Sequence, residues 1–222
     1  MKYDVILMDI DNTLLDFDAG TAEALTGLLA GFGLELTQER LRRFLTINDS
    51  LWEQYESGKI EKSYIFPTRF QQFLGELGVE TDWLAANETY AEGLRQSAVL
   101  MPGARALLDR LKGVCRLYAV TNGVTTTQLP RLEKSGLNRY FDRVFISEQM
   151  GCRKPEPAFF DQVFAAIGPV DKARCILLGD SLTSDMQGGR NAGIATCYLG
   201  CSDDPRCDFC IENLADFWDL IQ

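Results

Sequence analysis

Five short apolar runs, Tyr3–Ile10, Arg116–Thr121, Arg143–Ser147, Arg174–Gly179 and Ile194–Leu199, most narrow what this chain can fold into. Most are continuously apolar. An alternating run suits a sheet with one wet face, whereas a continuous run suits a strand buried on both faces, as in parallel sheets covered by helices. Helical patterns stand between the runs. Ala104, Leu107, Leu108 and Leu111 keep one helical face; Thr125–Ser135 stops at Gly136; Pro157–Ile167 opens on proline and stops at Gly168; Asp185–Ala192 stops at Gly193. Proline at a helix start and glycine just past its end are the expected punctuation. Strand and helix alternating over Met101–Leu199 predict βαβ units, and so an α/β fold with a doubly wound sheet.

Residues from about Asp18 to Ser97 read differently. No convincing strand is present. Leu25, Leu28, Leu29 and Phe32 predict one helix, Leu41, Phe44 and Leu45 a second, and Phe70, Phe73, Leu74 and Leu77 another. The expected organisation is a helical insertion over residues 17–97, dividing a domain made of residues 1–16 and 98–222.

Charge and composition exclude several kinds of chemistry. Net charge is 22 − 32 = −10, which argues against a nucleic-acid polymer or an anionic membrane as the main partner, since both want a basic face. A small phosphorylated substrate remains compatible, because a metal ion can supply positive charge. No run approaches the roughly 20 apolar residues of a transmembrane helix, and no basic-then-apolar leader follows Met1, so a cytoplasmic location is expected. Histidine is absent, with a count of 0. That removes a His-based triad, a Cys–His pair and any His-ligated zinc.

Carboxylates carry the remaining signal. Asp9 and Asp11 stand one residue apart at the end of the first apolar run, so they share a face if the backbone stays extended. In open α/β sheets, ligands bind at the carboxyl ends of strands. The second strand ends in Thr121-Asn122-Gly123, the fourth in Gly179-Asp180-Ser181 with Asp185 opening the next helix, and Lys154 lies in the loop before a proline-started helix. Four distant segments thus bring four carboxylates, a hydroxyl and an ammonium to one sheet edge. Such carboxylates repel unless a cation joins them, and a hard, oxygen-loving ion such as Mg²⁺ suits them. One carboxylate can then act as nucleophile and another as acid and base. Taken singly, Asp9 and Asp11 could cap a turn, Thr121-Asn122-Gly123 could be an ordinary turn, Lys154 a surface lysine, and Asp185 a helix N-cap.

Asp9-x-Asp11-x-Thr13, Thr121, Lys154 and Gly179-Asp180-x₄-Asp185 together resemble the four motifs of the haloacid dehalogenase superfamily, in its phosphatase branch. The resemblance spans the chain and implies a Rossmann-like core with a helical cap. It implies Asp9 as the nucleophile that becomes phosphorylated, and Asp11 as general acid and base, its backbone carbonyl also on Mg²⁺. Thr121 with the Asn122 and Gly123 amides would bind phosphate. Lys154 would offset charge on Asp9 and the phosphoryl group. Asp180 would ligate Mg²⁺, and Asp185 would ligate it through water or orient Lys154. Asp11 argues against a dehalogenase, which lacks an acid at that position.

The stretches INDSLWEQYESGKI, YFDRVFISEQMGCRKP and GDSLTSDMQGGRNAGIATCYL resemble the bacterial pyrimidine 5′-nucleotidases of this superfamily. That implies dUMP, dTMP and UMP as substrates. Phosphoglycolate or sugar-phosphate hydrolysis, and a hexose-phosphate mutase, are the alternatives. Asn48, Trp52 and Tyr55, with Phe17 beside the first motif, become candidates for meeting a base or sugar; the aromatic ones could equally be core of the insertion. The expected partner is a small phosphate monoester bound by a monomer or homodimer. Cys201, Cys207 and Cys210, with Cys197, raise a separate possibility of a thiolate zinc site, although free thiols are expected in a reducing compartment. Cys152, two residues before Lys154, is a candidate for oxidation.

Overall fold

The computed structural model describes all 222 residues. The chain divides into two compact units, Met1–Asp16 with Val99–Gln222, and Phe17–Ala98.

The first unit is built on β1 (Val5–Met8). The chain then passes through the helical unit, formed by α1 (Phe17–Ala30), α2 (Gln38–Glu56), α3 (Lys62–Glu76) and α4 (Trp83–Gln96). It returns as α5 (Ala104–Leu111), β2 (Arg116–Thr121), α6 (Thr125–Ser135), β3 (Arg143–Ile146), α7 (Ser147–Met150), α8 (Pro157–Ile167), β4 (Cys175–Gly179), α9 (Gln187–Ala192), β5 (Ala195–Leu199), β6 (Phe209–Ile211) and α10 (Leu214–Ile221). The strand order is β3-β2-β1-β4-β5-β6, and every pairing is parallel. This is the doubly wound α/β architecture expected. The strand order reverses at β1, so the ends of β1, β2 and β4 meet at a switch point where such sheets bind ligands.

The continuous apolar runs are explained by two cores. Ile6, Met8, Leu117, Ala119, Ile176 and Leu178 face Leu107, Leu108 and Leu111 of α5 and Leu214, Phe217 and Ile221 of α10. The alternate residues Val5, Leu7, Tyr118, Val120 and Leu177 face Phe159, Phe160 and Val163 of α8. Neither face of the central strands is wet.

In the helical unit, Phe44, Phe70 and Tyr90 form a tilted aromatic cluster with centroids 5.3–5.5 Å apart. Sequence patterning missed α4. Its buried face is Ala86, Tyr90 and Leu94, and a Cβ on Gly93 would stand 2.9 Å from Ala24. With Tyr90 its one buried aromatic, that face carries no aromatic stripe to read.

Other differences are local. The first strand is shorter than Tyr3–Ile10, although the Asp9 amide still donates to Leu178 O across 2.9 Å. The run ending at Ser147 turns into α7 at that residue. β6 was not expected; it is three residues long and pairs onto the sheet edge through Cys197–Phe209 to Leu199–Ile211. The helix expected from Asp185 begins earlier, as a π-helical turn over Leu182–Met186, with Ser181 as its N-cap accepting from Ser184 N. Asp185 therefore lies inside the turn and is not an N-cap.

Candidate active site

The exits of β1, β2 and β4 and the loop before α8 bring most of the expected residues together. Lys154 is the hub. Its side chain is 1% exposed, and Nζ donates to Asp9 Oδ1 (2.5 Å), Asp185 Oδ1 (2.7 Å) and Val120 O (2.9 Å). Asn122 fixes the lysine's backbone from both sides. The Lys154 N–H donates to Asn122 Oδ1, and Asn122 Nδ2 donates to Lys154 O, each across 2.9 Å. Thr13 Oγ1 donates to Asp180 Oδ1 (3.1 Å), and Ser181 N donates to Asp185 Oδ2 (3.2 Å). Thr121 is buried; its hydroxyl oxygen accepts from Gly123 N (2.9 Å) and from Gln128 Nε2 (3.2 Å).

Gly179 lets Asp185 approach. An added Cβ would stand 2.3 Å from the Asp185 carboxyl carbon and Oδ2. Gly179→Ala is therefore expected to drive Asp185 off Lys154 and lower stability by about 1–3 kcal/mol. Thermal unfolding at neutral pH checks this; an unchanged midpoint would mean that Asp185 can step aside.

Asp9 and Asp11 leave the strand for different partners. Asp9 turns to Lys154. Asp11 keeps 28% of its side chain exposed and accepts from the Arg131 guanidinium at Oδ1 and from Gln128 Nε2 at Oδ2. Its carboxylate does not join the acidic cluster. Sequence reading missed Gln128 and Arg131. The available signal was helical spacing, since both fall with Leu132 and Ser135 on the buried face of α6.

One group of potential metal-ligating side chains gathers with its ligand atoms within 4.8 Å of one another: Asp9, Asp180 and Asp185. The four C-terminal cysteines do not assemble in that way, and all seven cysteines are free thiols. Burial raises the Cys152 thiol above its ordinary value, with Glu156 adding to the effect, which disfavours the reactive thiolate. At the acidic cluster three carboxylates face one ammonium. Burial alone would lower Lys154, but the Asp185 and Asp9 carboxylates outweigh it and hold the ammonium above its ordinary value. One cation is too few. Burial, then the neighbouring Asp185, pushes Asp180 up to about 8. Burial also raises Asp9 well above the usual carboxylate range, against the pull of Lys154. Oxygen donors only, excess negative charge and close ligand atoms fit a hard divalent ion such as Mg²⁺.

The candidates in the helical unit lie on one face of α2. Asn48 is buried and its Oδ1 accepts from Arg69 Nη1 (3.0 Å), while Arg69 Nη2 donates to Asn87 Oδ1 (2.6 Å). Trp52 packs edge-on against buried Tyr55, centroids 5.7 Å apart, with Lys62 Nζ 5.7 and 5.6 Å from their ring centres. Phe17 packs against the core of this unit. No helix of the chain is long and apolar enough to cross a membrane.

Known proteins resemble this chain in sequence and in fold. The chain is 41% identical over 199 residues to the pyrimidine 5′-nucleotidase PynA of Streptococcus pneumoniae, covering 89% of this chain and 84% of that one. It is 35% identical over 199 residues to the pyrimidine 5′-nucleotidase YjjG of Escherichia coli, covering 90% and 87%. The HAD-hydrolase YfnB of Bacillus subtilis, solved bound to magnesium, superimposes with a TM-score of 0.94 at 34% identity over 100% of both chains. A family model described as haloacid dehalogenase-like hydrolase matches residues 3–193, from just before β1 to the end of α9. With the motif residues gathered at the switch point of a parallel sheet, the chain belongs to the haloacid dehalogenase-like hydrolases.

Proposed function

We propose that this hydrolase is a Mg²⁺-dependent phosphomonoesterase that works through an aspartyl-phosphate on Asp9, with pyrimidine nucleoside 5′-monophosphates (dUMP, dTMP and UMP) as its substrates. The observation that carries the reading is the buried set of Asp9, Lys154, Asp180 and Asp185, with Asp11 and Thr121 beside it. The two nucleotidase relatives support the substrate class.

In the first step an Asp9 oxygen attacks phosphorus, and the bond from phosphorus to the leaving 5′-oxygen breaks. Asp11 gives its proton to that oxygen. In the second step water attacks the phosphoaspartate and Asp11 takes its proton. The bond from phosphorus to Asp9 breaks, releasing inorganic phosphate. Lys154 and the Thr121 hydroxyl hold phosphoryl oxygens and stabilise charge that develops there. Asp9, Asp180 and Asp185, with the Asp11 carbonyl, would hold the divalent ion, which when bound supplies positive charge to the phosphoryl oxygens. Uncatalysed hydrolysis of phosphate monoesters is slow enough to need enhancements of up to about 10²¹-fold, which gives each of these groups work to do.

A phosphatase screen with Mg²⁺ and with EDTA tests the reading. Release of phosphate from dUMP and dTMP should exceed that from phosphoglycolate and hexose phosphates, and EDTA should abolish it. A flat response to the nucleotides removes the substrate class but leaves the phosphatase; isomerised sugar phosphate without free phosphate makes the protein a mutase.

Mg²⁺ is also expected to stabilise the fold more at high pH. Asp180 is raised to about 8, so it binds its proton more tightly folded than unfolded. Its contribution to the ion-free protein is complete below the ordinary value of 3.8 and is lost as pH rises through about 8. Ion and proton compete for the same carboxylates, so ion affinity climbs over that window. At a hundredfold excess over Kd the ion should add about 2.7 kcal/mol. Thermal unfolding in EDTA and in Mg²⁺, from about pH 6 to about pH 8, reads this directly. A gain that shrinks with pH would refute it.

A further inference from the structure

Helix α6 carries two buried polar side chains that none of the four motifs includes. Arg131 is 1% exposed at its side chain and donates through Nη1 to Asp11 Oδ1. Gln128 Nε2 donates to Asp11 Oδ2 and also to Thr121 Oγ1 (3.2 Å). One helix therefore holds both oxygens of the proposed acid and base, and one amide nitrogen ties that carboxylate to the hydroxyl proposed to bind phosphate.

Two further features belong to this web. A Cβ on Gly123 would stand 2.2 Å from Gln128 Nε2 and 2.8 Å from its Cδ. The bare backbone at 123 is what lets Gln128 pass to both partners. On the other side, Asn12 follows Asp11 in the left-handed region, φ 53°, and its amide donates to Leu15 O across 2.7 Å. The chain turns sharply straight after Asp11, a conformation Asn tolerates better than most residues. The backbone of Asp11 is thus set by a tight turn and its side chain by α6.

The need for such a hold follows from the neighbourhood. Asp11 is two residues from Asp9, whose partner Lys154 already draws two carboxylates, Asp9 and Asp185. A loosely held Asp11 could turn toward that ammonium or join the ion-binding acids, and would then miss the leaving oxygen. We propose that Arg131 and Gln128 are positioning residues for Asp11: they keep it out of the acidic cluster and aligned with Thr121, so that its proton reaches the leaving oxygen of the phosphoryl group bound there. This rests on the reading of Asp11 as acid and base and deepens it.

The test compares two leaving groups. p-Nitrophenolate departs without a proton, whereas the 5′-alkoxide of a nucleoside needs one. For an enzyme that passes through a phosphoaspartate, kcat/KM reports formation of that intermediate, which depends on the acid only for the alkyl ester. In contrast, kcat includes hydrolysis of the intermediate, which needs Asp11 as base whatever the leaving group was. Both constants are measured with Mg²⁺ on the full chain, for p-nitrophenyl phosphate and for dUMP, or for whichever alkyl phosphate of the screen is turned over best.

In Arg131→Met, kcat/KM for the alkyl ester should fall about 10²-fold, the scale of a misplaced or lost acid. The same constant for p-nitrophenyl phosphate should fall less than about 3-fold, and kcat should drop for both esters. Arg131→Lys keeps the charge without the planar fork and should recover part of the alkyl-ester loss. Gln128→Met should repeat the same selectivity at about 10-fold. Melting curves accompany each variant; if Arg131→Met does not fold, Arg131→Lys and Gln128→Met decide. Equal losses of kcat/KM on the two esters, or no loss, overturn the inference while leaving the phosphatase reading intact. A wild-type protein inactive on every phosphate ester overturns both.

Discussion

Asp9→Asn should abolish phosphate release while leaving the protein folded. The amide preserves the shape of the side chain and its oxygen can still accept from Lys154 Nζ, which lies 2.5 Å from Asp9 Oδ1. What it removes is the proposed nucleophile. Loss of a covalent catalyst in a preorganised site lowers turnover by about 10⁴–10⁶-fold, so activity should fall below detection for nucleotides and for p-nitrophenyl phosphate alike. Stability should move the other way. The cluster holds Asp9, Asp180 and Asp185 around one ammonium, and the substitution removes one negative charge from that excess. In EDTA at neutral pH the variant should melt at or above the wild-type temperature. Full turnover in Asp9→Asn sinks the aspartyl-phosphate mechanism, and a collapsed melting curve would show that Asp9 holds the fold as well as the chemistry.

The same excess of charge is why so much of the site was readable from residue types. Asp9, Thr121, Lys154, Asp180 and Asp185 are spread over four segments, yet each sits at a strand exit or in a loop that a parallel sheet delivers to one edge. Continuous apolar runs announced that sheet, because Val5 and Leu7 enter one core while Ile6 and Met8 enter the other. What stayed hidden has no periodicity of its own. β6 is three residues long, follows a loop containing Pro205 and Arg206, and exists by pairing to β5. The π-helical turn at Leu182–Met186 places Asp185 on Lys154 Nζ and the Ser181 amide, and no apolar periodicity marks it. Gln128 and Arg131 look like an ordinary polar face of a helix until Asp11 is placed against them. The separate destinations of Asp9 and Asp11 are likewise a tertiary fact: a shared direction along the strand is all that alternation could predict.

Lys154→Met carries the second large effect, on stability and turnover together. The ammonium is almost completely buried and has three acceptors, the Asp9 and Asp185 carboxylates and Val120 O. Methionine approximates its volume and brings no charge, so three buried acids lose their only lysine. Removing one partner of a buried ion pair costs about 3–5 kcal/mol. The loss should grow with pH. In acid Asp9 and Asp180, both held above the ordinary carboxylate range by burial, are protonated and need no counter-charge; as pH rises through about 8, where Asp180 gives up its proton, the added negative charge increases the repulsion that Lys154 had opposed. Mg²⁺ should narrow the gap in melting temperature, because it brings positive charge to the same oxygens. It should not restore turnover, which is expected to fall about 10²–10³-fold, since the lysine also donates to Asp9 and is proposed to meet the phosphoryl oxygens. Lys154→Arg separates charge from fit: a planar guanidinium keeps the charge but cannot replace a compact ammonium lodged between two carboxylates and a carbonyl. Melting close to wild type with poor turnover in that variant would assign the stability to charge and the catalysis to placement. Equal recovery of both would mean that charge alone is what this buried lysine provides.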